Sequence, residues 1–225
     1  MKKGRRRGLW VVIVGLLLVG LILLFNQPLK HTAIQLLSRH QMTHLTKKQV
    51  TINRKANTTF NFKQVKPLGI REITQAATNA NQLPTVGKLA VPSVALYLPV
   101  IKGLSNQALA TGAATMKAKQ KMGQGNYALA GHYLVARNQA LFAPLERVRL
   151  GSSVYLTDLT KIYQYEVIVK KVVNPYATRL INDVPGEELV TLITCADGGV
   201  NRLAIQGRLL AIDNATKAKL QLFKP

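Results

Sequence analysis

The sequence predicts a mostly β protein: a closed or nearly closed barrel with a few short helices, preceded by one transmembrane helix. Three observations predict it. From Gly87 onward the chain is a succession of short runs rich in β-branched and apolar residues, broken by Gly, Pro, Asn and Asp, with few helix-period segments; strands of this kind are stable when closed into a barrel. Leu9 to Phe25 is a run of seventeen residues without a charge. The only cysteine, Cys195, lies between two strand-like runs near the end of the β region.

The leader comes first. Met1 to Gly8 carries Lys2, Lys3, Arg5, Arg6 and Arg7. As a helix, the apolar run that follows spans about 25 Å, at the short end for a bilayer. Asn26-Gln27-Pro28 offers no small-x-small cleavage site, so an uncleaved anchor is expected. Five basic residues precede the run and only Lys30 follows closely, which puts residues 1–8 in the cytoplasm, the anchor at 9–25 and the rest outside. A lone cysteine outside the cell cannot staple the fold by an internal disulfide.

Residues 26–71 are basic and polar, and read as an extracytoplasmic stem. Residues 1–71 hold fourteen Lys and Arg and no acid, whereas 72–225 hold seventeen against nine. The net charge of +22 therefore belongs largely to leader and stem, where anionic headgroups or wall polymers can attract it. With the excess so placed and no aromatic platform beside it, nucleic-acid binding is not expected. His31, His40 and His44 lack the paired partners of a zinc site.

The domain is expected over 72–225. Glu72 to Gln82 reads as a short helix. Lys88 to Pro92 and Val94 to Val100 read as strands with proline at their ends, and Ser105 as a cap for one or two helical turns. Gly112 to Gly125 is expected as a loop carrying Lys117, Lys119 and Lys121. Asn126 to Ala130 is a strand of small and apolar residues that delivers His132 just after Gly131, where the missing side chain lets another group approach closely. Gln139 to Val148 places Leu141, Phe142, Leu145 and Val148 on one helical face. Ser153 to Thr157 and Lys161 to Val173 are strands joined at Asp158-Leu159-Thr160, and Asn174 to Glu188 is a loop with a helical turn.

Leu189 to Thr194 and Val200 to Ile205 flank Cys195 and the pair Gly198-Gly199. Both central positions of a type I′ turn need positive φ, which two glycines supply. Such a turn sets Asp197 against Val200, Ala196 against Asn201 and Cys195 against Arg202. A guanidinium beside a thiol favours thiolate, the nucleophilic form. A lone cysteine is also compatible with a small buried hydrophobe. The adjacent arginine, the extracytoplasmic setting and His132, the one histidine of the globular part, argue for chemistry.

Together these residues resemble the sortases, membrane-anchored cysteine transpeptidases of Gram-positive cell surfaces. Thr191-Leu192-Ile193-Thr194-Cys195 is similar to the family's TLxTC signature, Ala130-Gly131-His132 to its histidine motif and Arg202-Leu203-Ala204-Ile205 to its arginine strand. Val91-Pro92 to Leu98-Pro99-Val100, and Leu141-Phe142 with Leu145 and Gly151, add to the likeness, which covers about Gly87 to Ala211. The resemblance implies an eight-stranded barrel. It implies Cys195 as nucleophile, His132 as general acid and base, and Arg202 as the group stabilising oxyanion and substrate. It further implies an LPxTG-type signal as substrate, with Ala130, Thr194, Leu180, Ile181 and Val184 lining its site, and the amine of a lipid-linked peptidoglycan precursor as acceptor. An N-terminal anchor and a chain ending soon after the last strand resemble class A members. The acids that some of those use for calcium are sparse here, so neither metal nor cofactor is expected. A surface cysteine peptidase and a non-catalytic anchored binding barrel remain as alternatives.

Overall fold

The computed structural model describes residues 10, 12–17, 20, 32–65, 67–134 and 140–224. Among these, eight strands close into a barrel in the spatial order β1 (Thr85–Val91), β2 (Leu96–Ile101), β3 (Ala113–Thr115), β4 (Asn126–Ala130), β9 (Leu189–Ala196), β10 (Asn201–Asn214), β8 (Lys161–Val173) and β7 (Ser153–Thr157), with β7 returning to β1. Two further short strands, β5 (Tyr133–Leu134) and β6 (Ala140–Leu141), pair beside it. The pairings β2 with β3 and β4 with β9 are parallel, and the rest of the barrel is antiparallel. A parallel neighbour needs a crossover. Helix α4 (Asn106–Thr111), capped by the Ser105 hydroxyl accepting from the Ala108 amide at 3.1 Å, makes the first; the long excursion through β5 to β8 makes the second.

Alternation along the strands fills the interior with Leu89, Val91, Leu98, Val100, Leu129, Val154, Leu156, Tyr165, Val190, Leu192, Leu203 and Ile205. On the outside, α4 covers Ile101, Ala114 and Ala128 through Ala108 and Leu109. The strands β8 and β10 are long enough to need two breaks in register, at Gln206/Gly207 and Leu209/Ala211.

Two expectations are corrected. The stretch from Gln139 to Val148 is not an α-helix, and its described part is strand β6 followed by a 3-10 segment, Ala143–Arg147, with Pro144 in its first turn. The apolar spacing there reported burial of Leu141, Phe142, Leu145 and Val148, all inside the core, rather than helical period. The loop expected over Gly112 to Gly125 begins with β3, three residues that bridge β2 and β4.

Residues read as stem also do more than space. Residues 32–44 are helical (α1), followed by α2 (Lys47–Asn53), whose N-cap Thr46 forms a capping box with Gln49. From α1, Ile34 and Leu37 enter the main core and Met42 packs with Ala90, Ile162 and Phe223. Thr85 donates to the Gln41 side chain at 2.6 Å and Asn53 to the Thr85 carbonyl at 2.8 Å. The packing faces are apolar side chains spaced three to five apart along otherwise polar helices, a weak signal in sequence. Helix α3 (Ile70–Thr78) follows with Ile73 and Ala76 buried against the same core.

Residues 10, 12–17 and 20 are helical, and Trp10, Val12, Ile13, Val14, Leu16 and Leu17 are exposed. Among the described residues no helix is long and apolar enough to cross a membrane. The remainder of the span expected at 9–25 lies outside the described residues.

Candidate active site

The hairpin joining β9 to β10 has the register that its glycines require. Gly198 and Gly199 take φ of 66° and 98°, and the Val200 amide donates to the Asp197 carbonyl at 3.2 Å, closing a turn with positive φ at both central residues. Ala196 faces Asn201 and Cys195 faces Arg202. Asp197 also has positive φ, 51°, and its carboxylate accepts from the Asn201 amide side chain at 2.8 Å, which holds the loop against this strain.

Side chains of β9 alternate between core and outer face. Val190 and Leu192 point into the barrel, whereas Cys195 is half-buried on the outer face with Ile193. Opposite it, Arg202 is tied back to its own turn, Nη1 donating to the carbonyls of Gly199 and Asn201, both at 2.8 Å. The guanidinium is thus fixed one strand from the thiol.

His132 reaches the same level from the other side. In the parallel pair of β4 and β9, Ala130 faces Ile193. His132 and Cys195 each lie two residues farther along neighbouring chains, and adjacent strands are about 4.8 Å apart. His132, in the link just past the end of β4, therefore stands level with Cys195 on β9 and Arg202 on β10, and the three form a row. Two contacts lock it. The Gly131 amide donates to the Ile193 carbonyl at 3.1 Å, and the Thr194 hydroxyl donates to the Gly131 carbonyl at 2.9 Å, so the residue before the cysteine holds the residue before the histidine. Gly131 lies against Phe142, which is fully buried; a Cβ there would stand 2.6 Å from its ring. The Phe142 amide in turn donates to the His132 carbonyl at 3.0 Å.

The imidazole is largely, though not fully, buried. Its Nε2 is buried with no hydrogen-bond partner, and burial pushes the His132 pKa down to about 4, against a smaller upward pull from the Glu72 carboxylate on α3. At neutral pH the ring is uncharged. An orphaned buried nitrogen costs stability, and it leaves a site ready to take or give one proton.

The remaining residues expected at the site are distributed unevenly. Ala130, Ile193 and Ile181 pack partly buried against a cluster that includes Ala114, Met116 and Ala128, an apolar floor whose Ile193 lies two residues before Cys195 on β9. Leu180 contributes its carbonyl, accepting from Asn126 Nδ2 at 2.9 Å, and lines a cavity of about 470 Å³ with Lys171, Val173, Tyr176 and Arg179. Val173 faces Arg202 in the ladder, so this cavity adjoins the row. Val184 is 46 % exposed and has no part in the apolar floor.

A clamp on the loop from Asn174 to Glu188 had no signal in the sequence. Buried Asn126 also donates from Nδ2 to the Asn182 carbonyl at 3.1 Å, and its Oδ1 accepts from the Thr191 hydroxyl at 2.7 Å. Its backbone amide donates to Asp183 Oδ1 at 2.7 Å, and Lys117 pairs with the same carboxylate oxygen at 2.6 Å. Lys117 and this amide hold the Asp183 carboxyl below its usual range. Among the described residues no group of three or more His, Cys, Asp or Glu is arranged to hold a metal.

Known proteins share this chain's sequence pattern and fold. A family model described as the Sortase domain matches residues 89–210. The chain is 41 % identical over 193 residues to Sortase A of Streptococcus agalactiae, covering 84 % of this chain and 78 % of that protein. It is 34 % identical over 185 residues to Sortase A of Listeria monocytogenes, covering 82 % of each. The crystal structure of the Listeria protein superposes with a TM-score of 0.59 at 37 % identity, over 63 % of this chain and 98 % of that one. Sortase C-1 from Actinomyces oris, at 22 % identity and a TM-score of 0.56 over 73 % of this chain and 99 % of that one, shares the fold.

Proposed function

The chain belongs to the sortase family of cysteine transpeptidases, and from that premise we propose that it cuts an LPxTG-type sorting signal between Thr and Gly and joins the new carboxyl end to an amine of a peptidoglycan precursor. The observation that carries this reading is the row of His132, just past β4, with Cys195 and Arg202 on neighbouring strands, and an uncharged imidazole whose Nε2 has no partner. His132 takes the Cys195 proton as Sγ attacks the threonine carbonyl. Arg202 faces the oxyanion that develops. The imidazolium then gives its proton to the departing glycine nitrogen, leaving a thioester. The incoming amine attacks that thioester, its surplus proton passes to His132, and the expelled thiolate is reprotonated. Ala130, Ile181 and Ile193 are the apolar bed for the Leu-Pro part of the signal, with Leu180 and Val184 on the loop above. Thr194 acts on the geometry rather than on substrate.

In the same reading residues 1–8 are cytoplasmic, 9–25 anchor the chain, and residues from 26 onward stand outside the cell. The exposed apolar side chains from Trp10 to Leu17 support it. Because α1 and α2 are packed into the barrel, the test uses the full chain in a nonionic detergent rather than a fragment starting at 72. A fluorogenic LPxTG peptide is supplied with and without a glycine-type amine, and the products are weighed. A product carrying the amine supports transpeptidation; cleavage to a free acid alone in both cases makes the protein a peptidase.

Three further outcomes are expected from this assay. Gly131→Ala pushes a methyl group into Phe142 and displaces His132, costing about 1–3 kcal/mol in stability and about 10²-fold in kcat/KM; thermal melts and peptide kinetics check both. Asn126→Ala leaves two loop carbonyls and the Thr191 hydroxyl without this partner, a loss of about 1–3 kcal/mol, and raises KM more than it lowers kcat. Calcium added after chelation changes the rate by less than about twofold, because Lys117 supplies a cation to Asp183 where a hard metal would need several oxygen ligands.

A further inference from the structure

On another side of the barrel a cavity of about 250 Å³ opens between Arg54, at the C-terminal end of α2, and the connection from β3 to β4. Four of its lining residues are cationic, Arg54, Lys102, Lys117 and Lys121, and none is acidic; Met122 and Tyr127, both buried, form the apolar part of the wall. Arg54 pairs with Asp158 and Lys117 with Asp183. No carboxylate lies within ion-pair distance of Lys102 or Lys121 among the described residues. Four cations against two carboxylates leave two positive charges unbalanced around one concavity.

The donors are also not used up. Lys102 gives two of its three N–H groups to the carbonyls of Arg54 and Ala56, at 2.7 and 2.8 Å, which fixes the ammonium in place and leaves one donor over. Lys117 has two beyond its bond to Asp183, and the Arg54 guanidinium has donors besides the one on Asp158. The volume is below that of a drug-sized pocket and suits a compact anion. Ammonium and guanidinium groups converging on one space recognise phosphate oxygens.

We propose that this cavity is a binding site for a phosphate group, either free phosphate or the phosphodiester of a lipid headgroup. It lies apart from the row at Cys195. Lys117 connects it to the clamp around Asn126, since an anion held by the remaining N–H groups of Lys117 neutralises charge that otherwise faces Asp183 alone.

The test follows backbone amide shifts of the isotope-labelled full chain in maltoside micelles, in a phosphate-free buffer at constant ionic strength. Inorganic phosphate is the first probe and phosphatidylglycerol mixed into the micelles the second. Saturable shifts in residues 115–122, with Asn126 following, are expected from at least one probe. A response to both assigns phosphate as such, and a response to phosphatidylglycerol alone assigns the lipid phosphodiester; either supports the site. Affinity should fall tenfold or more in Lys121→Gln and in Lys102→Gln, and stay unchanged in Lys47→Gln/Lys48→Gln, which removes exposed charge elsewhere. Lys121→Gln serves if Lys102→Gln loosens the stem. Shifts that fail to saturate with both probes, or that weaken equally in the Lys47/Lys48 variant, would overturn the proposal.

Discussion

Cys195→Ala is expected to abolish cleavage of the sorting peptide, a loss of about 10⁴- to 10⁶-fold, while leaving the barrel intact. The reaction has no covalent intermediate without the sulfur, and nothing else in the row is placed to attack a carbonyl. The fold should tolerate the change because Cys195 is half-buried on the outer face and forms no disulfide. Its neighbours on the core face, Leu192 and Thr194, keep the strand in place: Leu192 by packing, and Thr194 through its bond to the Gly131 carbonyl. The check is paired: peptide kinetics for the loss, and the thermal midpoint for the retained fold. A variant that melts normally and still turns over at a tenth of the native rate would remove Cys195 from the chemistry. A small residual rate that persists without the thiol and needs no amine would instead point to contaminating peptidase.

The parts of this site that were legible in the sequence are those set by local geometry. Two glycines in succession between strand-like runs fix a turn type, and the turn type fixes which residues face each other; hence Arg202 opposite Cys195 followed from the residues alone. Gly131 likewise announced a close approach, although not that Phe142 makes it. What could not be read was the parallel adjacency of β4 and β9, which lie some sixty residues apart in the chain and have no turn between them to set a register. The family resemblance supplied that adjacency in effect, by pairing the histidine motif with the cysteine motif. The Asn126 clamp was opaque for a different reason. An asparagine at a strand start looks like any turn residue until the carbonyls it satisfies are brought to it by a distant loop. The packing of α1 and α2 was hidden by composition, since a few apolar side chains in a basic, polar stretch bury one narrow face without raising the hydropathy of the whole.

His132→Gln is expected to lower kcat/KM by about 10²- to 10⁴-fold, and to change the acid stability of the protein in a way that a merely structural histidine on the surface would not. The imidazole titrates at about 4 in the folded protein, against about 6.5 in an unfolded chain. Between these values the unfolded state binds the extra proton, so stability rises with pH through the window and is lost as pH falls from about 6.5 towards 4. From pH 7 to pH 5 this one group should withdraw about 2 kcal/mol. Glutamine does not titrate there, so the variant should lose that much less than the native protein on acidification. Carboxylates elsewhere contribute to both proteins alike and cancel in the difference. Denaturant titrations at the two pH values measure both proteins. Equal slopes for native and His132→Gln would mean that the imidazole is hydrated, and a hydrated ring would not be the dry proton carrier that the proposed reaction needs beside Cys195.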